Sequence, residues 1–296
     1  MDKNNAPIDY LCIGHLCHDR HQGGNILGGT ASYVSLVARQ LGRQSAVLTS
    51  TGPDFEFLPV FEQNGIPVYD KPAPETTVFE NIYQNGIRTQ YLHARAETLY
   101  PDDVPPEWQT APLVHCCPIA DEVDFSLLQA FPEALIGATI QGWLRQWDAQ
   151  YRVSPKAMDW ARLAGVDVVI LSDADIAGFE QALPEISDVV KVLVMTQGAG
   201  GAVVFRGREK FHFPSFAVKE VDATGAGDVF AAAFLIRYAE TRDIALAAGF
   251  AHCAASFVVE GLGVENLPGL NQIRDRFKQY EVNFGGYFTQ RRKDAK

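Results

Sequence analysis

The stretch EVDATGAGDVFAAAF (220–234) sets two carboxylates, Asp222 and Asp228, around Gly225, Ala226 and Gly227, and then runs into apolar residues at helical spacing, among them Val229, Phe230, Ala233 and Phe234. Small residues at a helix entrance let the chain turn tightly and leave N–H groups uncovered at the positive end of the helix dipole, which makes an anion site. Asp228 falls in the first turn, where a lone carboxylate would cap free amides. Capping does not account for the bare glycines beside it. Phosphoryl transfer needs donors for the charge on the migrating group and a carboxylate to orient the attacking hydroxyl, and G-A-G-D holds both within four residues. A carboxyl group with an ordinary pKa near ~4 would orient an alcohol first and take its proton late.

Such residues need a scaffold, and strand followed by helix is the repeating unit. IDYLCIG (8–14) reads as a strand and TASYVSLVARQLG (30–42) as a helix stopped by Gly42. Strands are expected at SAVLTS (45–50), near 113–116, at ALIGATIQ, at VDVVILS (166–172) and at KVLVMTQ (191–197); helices are expected at FSLLQAFPE and PKAMDWARLAG (155–165). Strands apolar throughout, alternating with helices, predict an α/β fold with a mainly parallel sheet covered on both faces. Residues 76–93 break the rhythm, alternating apolar and polar on both sides of Asn85-Gly86, a hairpin signal. An antiparallel ribbon in an α/β protein suits a flap or an edge addition. With no linker and no internal repeat, one domain over 1–296 with a small β lid from about 15–29 and 76–95 is expected.

Of the 296 residues 47% are hydrophobic, enough for one large core or two ordinary ones. The net charge of −11 speaks against a general nucleic-acid binder, whose phosphate contacts need clustered Lys and Arg. No apolar run reaches the ~20 residues needed to cross a bilayer, and the N-terminal stretch lacks a basic segment followed by a hydrophobic one, so a cytoplasmic protein is expected. Cys12, Cys17, Cys116, Cys117 and Cys253 show no CxxC spacing and read as buried free thiols.

The string VDATGAGDVFAAAF resembles the C-terminal signature of the ribokinase or PfkB family of carbohydrate kinases, D-T-x-G-A-G-D-x-F. The family pattern recurs in order in CIGHLCHD, GGTAS, ETTVFE, VMTQGAGGAVVF and GFAHCAASFVVEGLGVENLP, over roughly residues 8–270. GHLCHD…LGGTASYVS, ETTVF and IQGWLR are similar to the plant-type myo-inositol kinase branch. The resemblance implies a ribokinase-like three-layer αβα sandwich with a β-strand lid, and ATP-dependent phosphorylation of a hydroxyl on a small sugar or cyclic polyol. It makes Asp228 the catalytic base and Gly225, Ala226 and Gly227 the anion hole. Asp222 would arrange a monovalent-cation site, K⁺ being the candidate, with backbone groups near Val259–Gly263; read alone, Asp222 is a loop-capping aspartate. Thr196 and Gly198 fall where the family holds nucleotide phosphates, and His252 where it places a residue beside adenine, though a lone His in an alanine-rich helix also reads as core.

For the substrate the resemblance points to Asp19 and to Gly28-Gly29. Carboxylates accept paired hydroxyls, and glycines let backbone amides approach a hydroxylated ring. Gln141 and Arg145 would line the pocket, and Thr77 and Phe79 belong to the lid, with Phe79 covering the sugar. Tyr33 and Cys17 stand where many relatives have Asn, which argues against ribose. The family's N-x-x-E element is replaced by LSDADIAG, where Ser172 with Asp175 or Asp173 is the substitute; Mg²⁺ would then be held mainly by nucleotide and water. Lids of this family often clasp a second subunit, so a homodimer through the lid is an expectation. A P-loop, a dinucleotide fingerprint after the first strand and a G-x-S-x-G elbow are all absent from the sequence. The remaining rivals are a kinase of a nucleoside or another sugar, and a non-catalytic sugar or nucleotide sensor, against which the intact Asp228 argues.

Overall fold

The computed structural model describes residues 7–21, 23–84, 87–261 and 266–294, with side chains left out at 83, 87, 88 and from 284 onward. In chain order the elements are β1 (Tyr10–Ile13), β2 (Cys17–His21), β3 (Gly24–Gly28), α1 (Thr30–Gln40), β4 (Ser45–Thr51), α2 (Leu58–Gln63), β5 (Val68–Pro72), β6 (Thr77–Gln84) and β7 (Ile87–Ala94). They continue with β8 (Leu113–Cys116), β9 (Leu135–Thr139), β10 (Arg145–Trp147), β11 (Val153–Pro155), β12 (Val168–Ser172), α3 (Leu183–Val189) and β13 (Val192–Thr196). The chain closes with β14 (Ala202–Arg206), β15 (Glu209–Phe213), α4 (Ala226–Thr241), α5 (Ile244–Val258) and α6 (Leu270–Asp294).

Nine strands form one sheet in the order β15-β14-β13-β12-β9-β8-β1-β4-β5, parallel except where β14 pairs with β13 and β15. The central strands YLCI, LIGAT and VVILS are apolar along their length because both faces of a parallel sheet are covered. One face packs against α1, α4, α5 and α6. Alanine-rich faces let these helices come close: a Cβ on Gly137 of β9 would collide with Leu235 of α4, and one on Gly249 of α5 would press on Phe277 and Tyr280 of α6. The other face is covered by a second core around Leu127, Phe131, Trp143, Trp160 and Ile186.

On that second face the helical expectations need correcting. FSLLQAFPE contributes only a 3₁₀ segment, Phe125–Ala130, and the helix expected over 155–165 shrinks to a 3₁₀ turn at Trp160–Leu163. Pro155 belongs to β11, the Lys156 amide is held by Leu144 O at 2.8 Å, and Asp159 caps the Ala161 amide. These local bonds consume the first half of the predicted helix.

A separate four-stranded sheet, β3-β2-β6-β7, forms the lid. The hairpin β6–β7 pairs Gln84 with Ile87; its turn residues, Asn85 and Gly86, lie outside the described residues. A bulge between Val78 and Phe79 skips one residue of β7 and re-aims Phe79. Only Gly14, His15 and Leu16 separate β1 from β2, so the lid springs directly from β1, an interior strand of the main sheet.

That junction is pinned by buried polar groups. The Glu122 carboxylate accepts the amides of His15 (3.0 Å), Ile119 (3.0 Å) and Ala120 (2.6 Å). His15 Nε2 lies 2.8 Å from Glu97 O, which can only accept, so Nε2 carries the proton; bare Nδ1 then receives the Thr77 hydroxyl at 2.7 Å. Burial lowers the His15 pKa and keeps the ring neutral. Glu122→Gln turns one acceptor oxygen into a donor facing amides. It is expected to cost roughly 2–4 kcal/mol, read as a lower urea midpoint at unchanged m-value.

All five cysteines are free and buried. Among the described residues no helix is long and apolar enough to cross a membrane.

Candidate active site

A cavity of about 390 Å³ opens at the carboxyl ends of the parallel strands, where open α/β sheets bind ligands. Its floor is Thr139, Ile170, Ser172 and Thr196, from β9, β12 and β13; the lid adds Cys17, Asp19, Phe79, Asn81 and Gln90. Two helix entrances add to the wall, Gly29, Thr30 and Tyr33 at α1 and Ala223, Thr224, Gly225, Gly227 and Asp228 at α4, with Gln141, Arg145 and Asp175 beside them.

Each entrance uses a glycine for a stated reason. Gly225 precedes α4 with φ 78°, a left-handed conformation that L side chains rarely adopt, and a Cβ there would strike the Tyr33 ring. Gly29 precedes α1 with φ 91°, and a Cβ there would strike His15 O. In α4 the first intrahelical donor is Val229, bonding Gly225 O at 2.9 Å. The Ala226 amide is taken by Ala223 O at 3.2 Å, while the amides of Gly227 and Asp228 have no backbone acceptor among the described residues. Gly227 is exposed, and a Cβ on it would meet open space.

Asp228 lies at the end of a directed row of hydrogen bonds. Arg145 Nη2 donates to Gln141 Oε1 (2.7 Å), Gln141 Nε2 to Thr30 Oγ1 (3.0 Å), and the Thr30 hydroxyl to Asp228 Oδ1 (2.9 Å). Arg145 is also anchored by Ile119 O at 2.9 Å, and its guanidinium lies 5.4 Å from the centre of the Phe79 ring. Asp228 itself lines the cavity. Burial raises the Asp228 pKa to about 6; Thr30 and Arg145 oppose the shift, and Asp175 and Asp19 add to it. Burial, with Asp228 and Asp19 nearby, pushes the Tyr33 phenol well up, so it remains a neutral donor.

The structure gathers Asp19, Gly29, Phe79, Gln141, Arg145, Thr196, Gly225, Gly227 and Asp228 on one cavity. Gly28 backs it, since a Cβ there would collide with the Asp19 carboxylate. Several residues singled out from the sequence lie elsewhere. Thr77 is fully buried at the lid junction. Gly198 opens a 3₁₀ turn, and Ala226 has its amide occupied. His252 packs edge-on to Phe230 at 4.9 Å and stacks with Tyr280, with burial lowering its pKa to about 3. Asp222 caps its own turn, accepting the Thr224 amide (2.9 Å) and hydroxyl (2.7 Å). Val259 O receives the amides of Val221 and Asp222, and residues 262–265, where further cation contacts were expected, lie outside the described residues.

Ser172 and Asp175 bond each other, Asp175 Oδ2 accepting the Ser172 amide (2.8 Å) and hydroxyl (2.7 Å), while Asp173 donates its amide to Thr196 O. Sequence reasoning missed Thr30 as the partner of Asp228, and also Asn81, Gln90 and Thr139. The hydroxyl directly after Gly28-Gly29 was the available signal for Thr30. Thr30→Val should raise the Asp228 pKa above about 6, because the lost bond is one that lowers it. The acidic limb of the kcat/KM profile should move to higher pH, so that the loss relative to the parent is larger at pH 6 than at pH 8.

A family model described as pfkB family carbohydrate kinase matches residues 111–269, more than half of the chain. The chain belongs to the pfkB family of carbohydrate kinases. It is therefore a phosphotransferase. Among relatives of this pfkB-family kinase, ribokinase of Bacillus subtilis is 25% identical over 84% of this chain and 86% of its own. A nucleoside kinase of Methanocaldococcus jannaschii is 26% identical over 86% of each, and inositol 3-kinase of Arabidopsis thaliana 25% identical over 91% of this chain and 79% of its own. The fold matches a fructokinase with bound ATP from Xylella fastidiosa (TM-score 0.76, 18% identity, 91% and 98% coverage). It also matches a pyrophosphate-dependent kinase in the ribokinase family (TM-score 0.75, 21% identity, 90% and 99% coverage).

Proposed function

We propose that this kinase transfers the terminal phosphoryl group of ATP to a hydroxyl of a small sugar or cyclic polyol, inositol-like in its hydroxyl display. The observation that carries this reading is the Asp228 carboxylate, with Oδ1 held by Thr30, lining a cavity whose opposite wall presents Asp19, Asn81 and Gln90. The acceptor hydroxyl donates to Oδ2, its oxygen bonds the terminal phosphorus, the bond from that phosphorus to the bridging oxygen breaks, and the hydroxyl proton passes to Asp228. A carboxyl whose pKa is about 6 is mostly ionised at neutral pH yet basic enough to take that proton. The amides of Gly227 and Asp228, at the positive end of α4, receive the charge of the migrating group.

Arg145 is the one cation among the cavity's described lining residues, and it is tied to the acceptor side by Ile119 and Gln141. Bare pyrophosphate would call for cationic side chains on the donor side, which favours a nucleotide. Among the described residues no three His, Cys, Asp or Glu side chains cluster as a metal cage. A Mg²⁺ carried by the donor would be held chiefly through phosphates and water, with Asp175 and Asp228 as the nearby carboxylates, where it would neutralise phosphate charge. The inositol preference is supported by the likeness to inositol 3-kinase and by an acceptor wall of carboxylate and amide groups suited to vicinal hydroxyls.

A panel of inositols, hexoses, pentoses and nucleosides, each with ATP or pyrophosphate and Mg²⁺, tests the reading. Inositols with ATP are expected to give the highest kcat/KM. Preferred turnover of a nucleoside would replace the acceptor, preferred use of pyrophosphate the donor, and turnover of none would overturn both.

A further inference from the structure

Tyr33 lines the cavity without bonding Asp228 or the groups that hold it. It stands one helical turn after Thr30, so both side chains leave the same face of α1. Its ring lies against the entrance of α4: a Cβ on Gly225 would come within 2.9 Å of the ring carbon that bears the hydroxyl. The phenol is thereby set beside the helix end whose Gly227 and Asp228 amides have no backbone acceptor among the described residues.

Hydrogens for a phosphoryl group are scarce in this cavity. Of the hydroxyls that line it, Thr30 donates to Asp228 Oδ1, Ser172 to Asp175 Oδ2, Thr224 to Asp222 Oδ1 and Thr196 to Leu171 O. Thr139 Oγ1 is buried out of reach of solvent. Arg145 spends donors on Ile119 O and Gln141 Oε1. The Tyr33 hydroxyl has no hydrogen-bond partner among the described residues, although the side chain is 95% covered, at 5% exposure.

Burial, with the charges of Asp228, Asp19 and Asp222, keeps the phenol protonated. A hydroxyl that holds its hydrogen and has no acceptor inside the protein is suited to a ligand group that only accepts. Ionised phosphoryl oxygens are of that kind, whereas a sugar hydroxyl also brings a hydrogen of its own, which Asp19, Asn81 and Gln90 can receive.

Resting on the kinase reading, we propose that Tyr33 is a further catalytic residue, whose hydroxyl donates a hydrogen bond to an oxygen of the migrating phosphoryl group as a third donor beside the amides of Gly227 and Asp228. Tyr33 keeps its proton throughout; the proton that moves is the acceptor's, and it goes to Asp228. A donor aimed at the group in transit lowers the barrier more than it tightens either substrate.

Tyr33→Phe tests this in the full chain, because it removes the hydroxyl and leaves the ring on Gly225. With no partner lost inside the protein, the melting temperature is expected to match the parent. With ATP and the best acceptor of the panel, kcat should fall about ten- to a hundredfold while both KM values stay within about threefold. A loss carried by the acceptor's KM would make Tyr33 an acceptor contact and overturn the inference, as would a loss carried by the KM of ATP or unchanged kinetics. A lowered melting temperature would overturn it too, by giving the hydroxyl to the fold. All of these leave the kinase reading intact. If no acceptor turns over, that reading fails by itself, and calorimetry of ADP with aluminium fluoride and Mg²⁺ decides on Tyr33, since the fluoroaluminate mimics the group in transit. Binding about tenfold weaker in Tyr33→Phe, with ADP alone bound equally, supports the inference; equal or undetectable binding refutes it.

Discussion

Asp228→Asn is expected to lower turnover by three or more orders of magnitude and, above pH 6, to yield a protein more stable than its parent. The kinetic loss follows from the proposed mechanism, because an amide retains the bond from Thr30 and the shape of the site but cannot accept the acceptor's proton. The stability gain follows from the direction of the pKa shift. Burial raises the folded-state value to about 6 from the ordinary 3.8, so between those values the native state holds a proton that the unfolded chain has lost. Stability from this group is complete below about pH 4 and is lost as pH rises through about 6. Asparagine removes that dependence. Two pKa units correspond to at most about 3 kcal/mol, and about 1–2 kcal/mol is a fairer figure for a half-buried carboxylate beside a solvated cavity. Thermal melts of both proteins from pH 4 to 8 should coincide at the acid end and separate above pH 6. Parallel melting curves across that range would remove the buried-charge account; retained turnover would remove Asp228 as base.

The second large effect is expected from Gly225→Ala, a loss of about 2–4 kcal/mol together with at least a hundredfold drop in kcat/KM. Two costs add at this residue. The left-handed φ of 78° disfavours any side chain by about 1–2 kcal/mol, and the new methyl group meets the Tyr33 ring, itself 5% exposed. Relief comes by moving the entrance of α4, which carries Gly227 and Asp228 away from the cavity. A double-mutant cycle with Tyr33→Ala separates the terms: alanine at 225 should cost less in the Tyr33→Ala background by roughly the clash, about 1–3 kcal/mol, with the backbone cost persisting. Additive denaturation energies would show that Tyr33 does not impose the glycine.

What was legible in the chain follows from how locally each feature is encoded. G-A-G-D could be read because amide donors, turn and carboxylate occupy four consecutive residues. The apolar strands from Tyr10 to Thr196 could be read because burial on both faces writes a continuous hydrophobic run. Thr30 could not be found as a partner of Asp228, since 198 residues separate them and only the meeting of two helix entrances joins them. Glu122 offers no sequence signal for its three amides, which belong to the chain crossings at His15 and Ile119–Ala120. The helix expected at 155–165 failed for the opposite reason. Its apolar spacing was adequate, but Pro155 pairs in a ribbon and Asp159 starts a tighter turn, so short-range bonds outbid periodicity.

The row from Arg145 to Asp228 has a polarity fixed at both ends, by a group that only donates and one that, ionised, only accepts. The Gln141 carboxamide therefore has one orientation, and the Thr30 hydrogen is already aimed inward. Such wiring offers no outbound path: in the proposed mechanism a proton taken up by Asp228 would not drain back through Thr30 and would leave by the mouth of the cleft. On the proposed mechanism, recharging of the enzyme is thereby tied to the exit of its products.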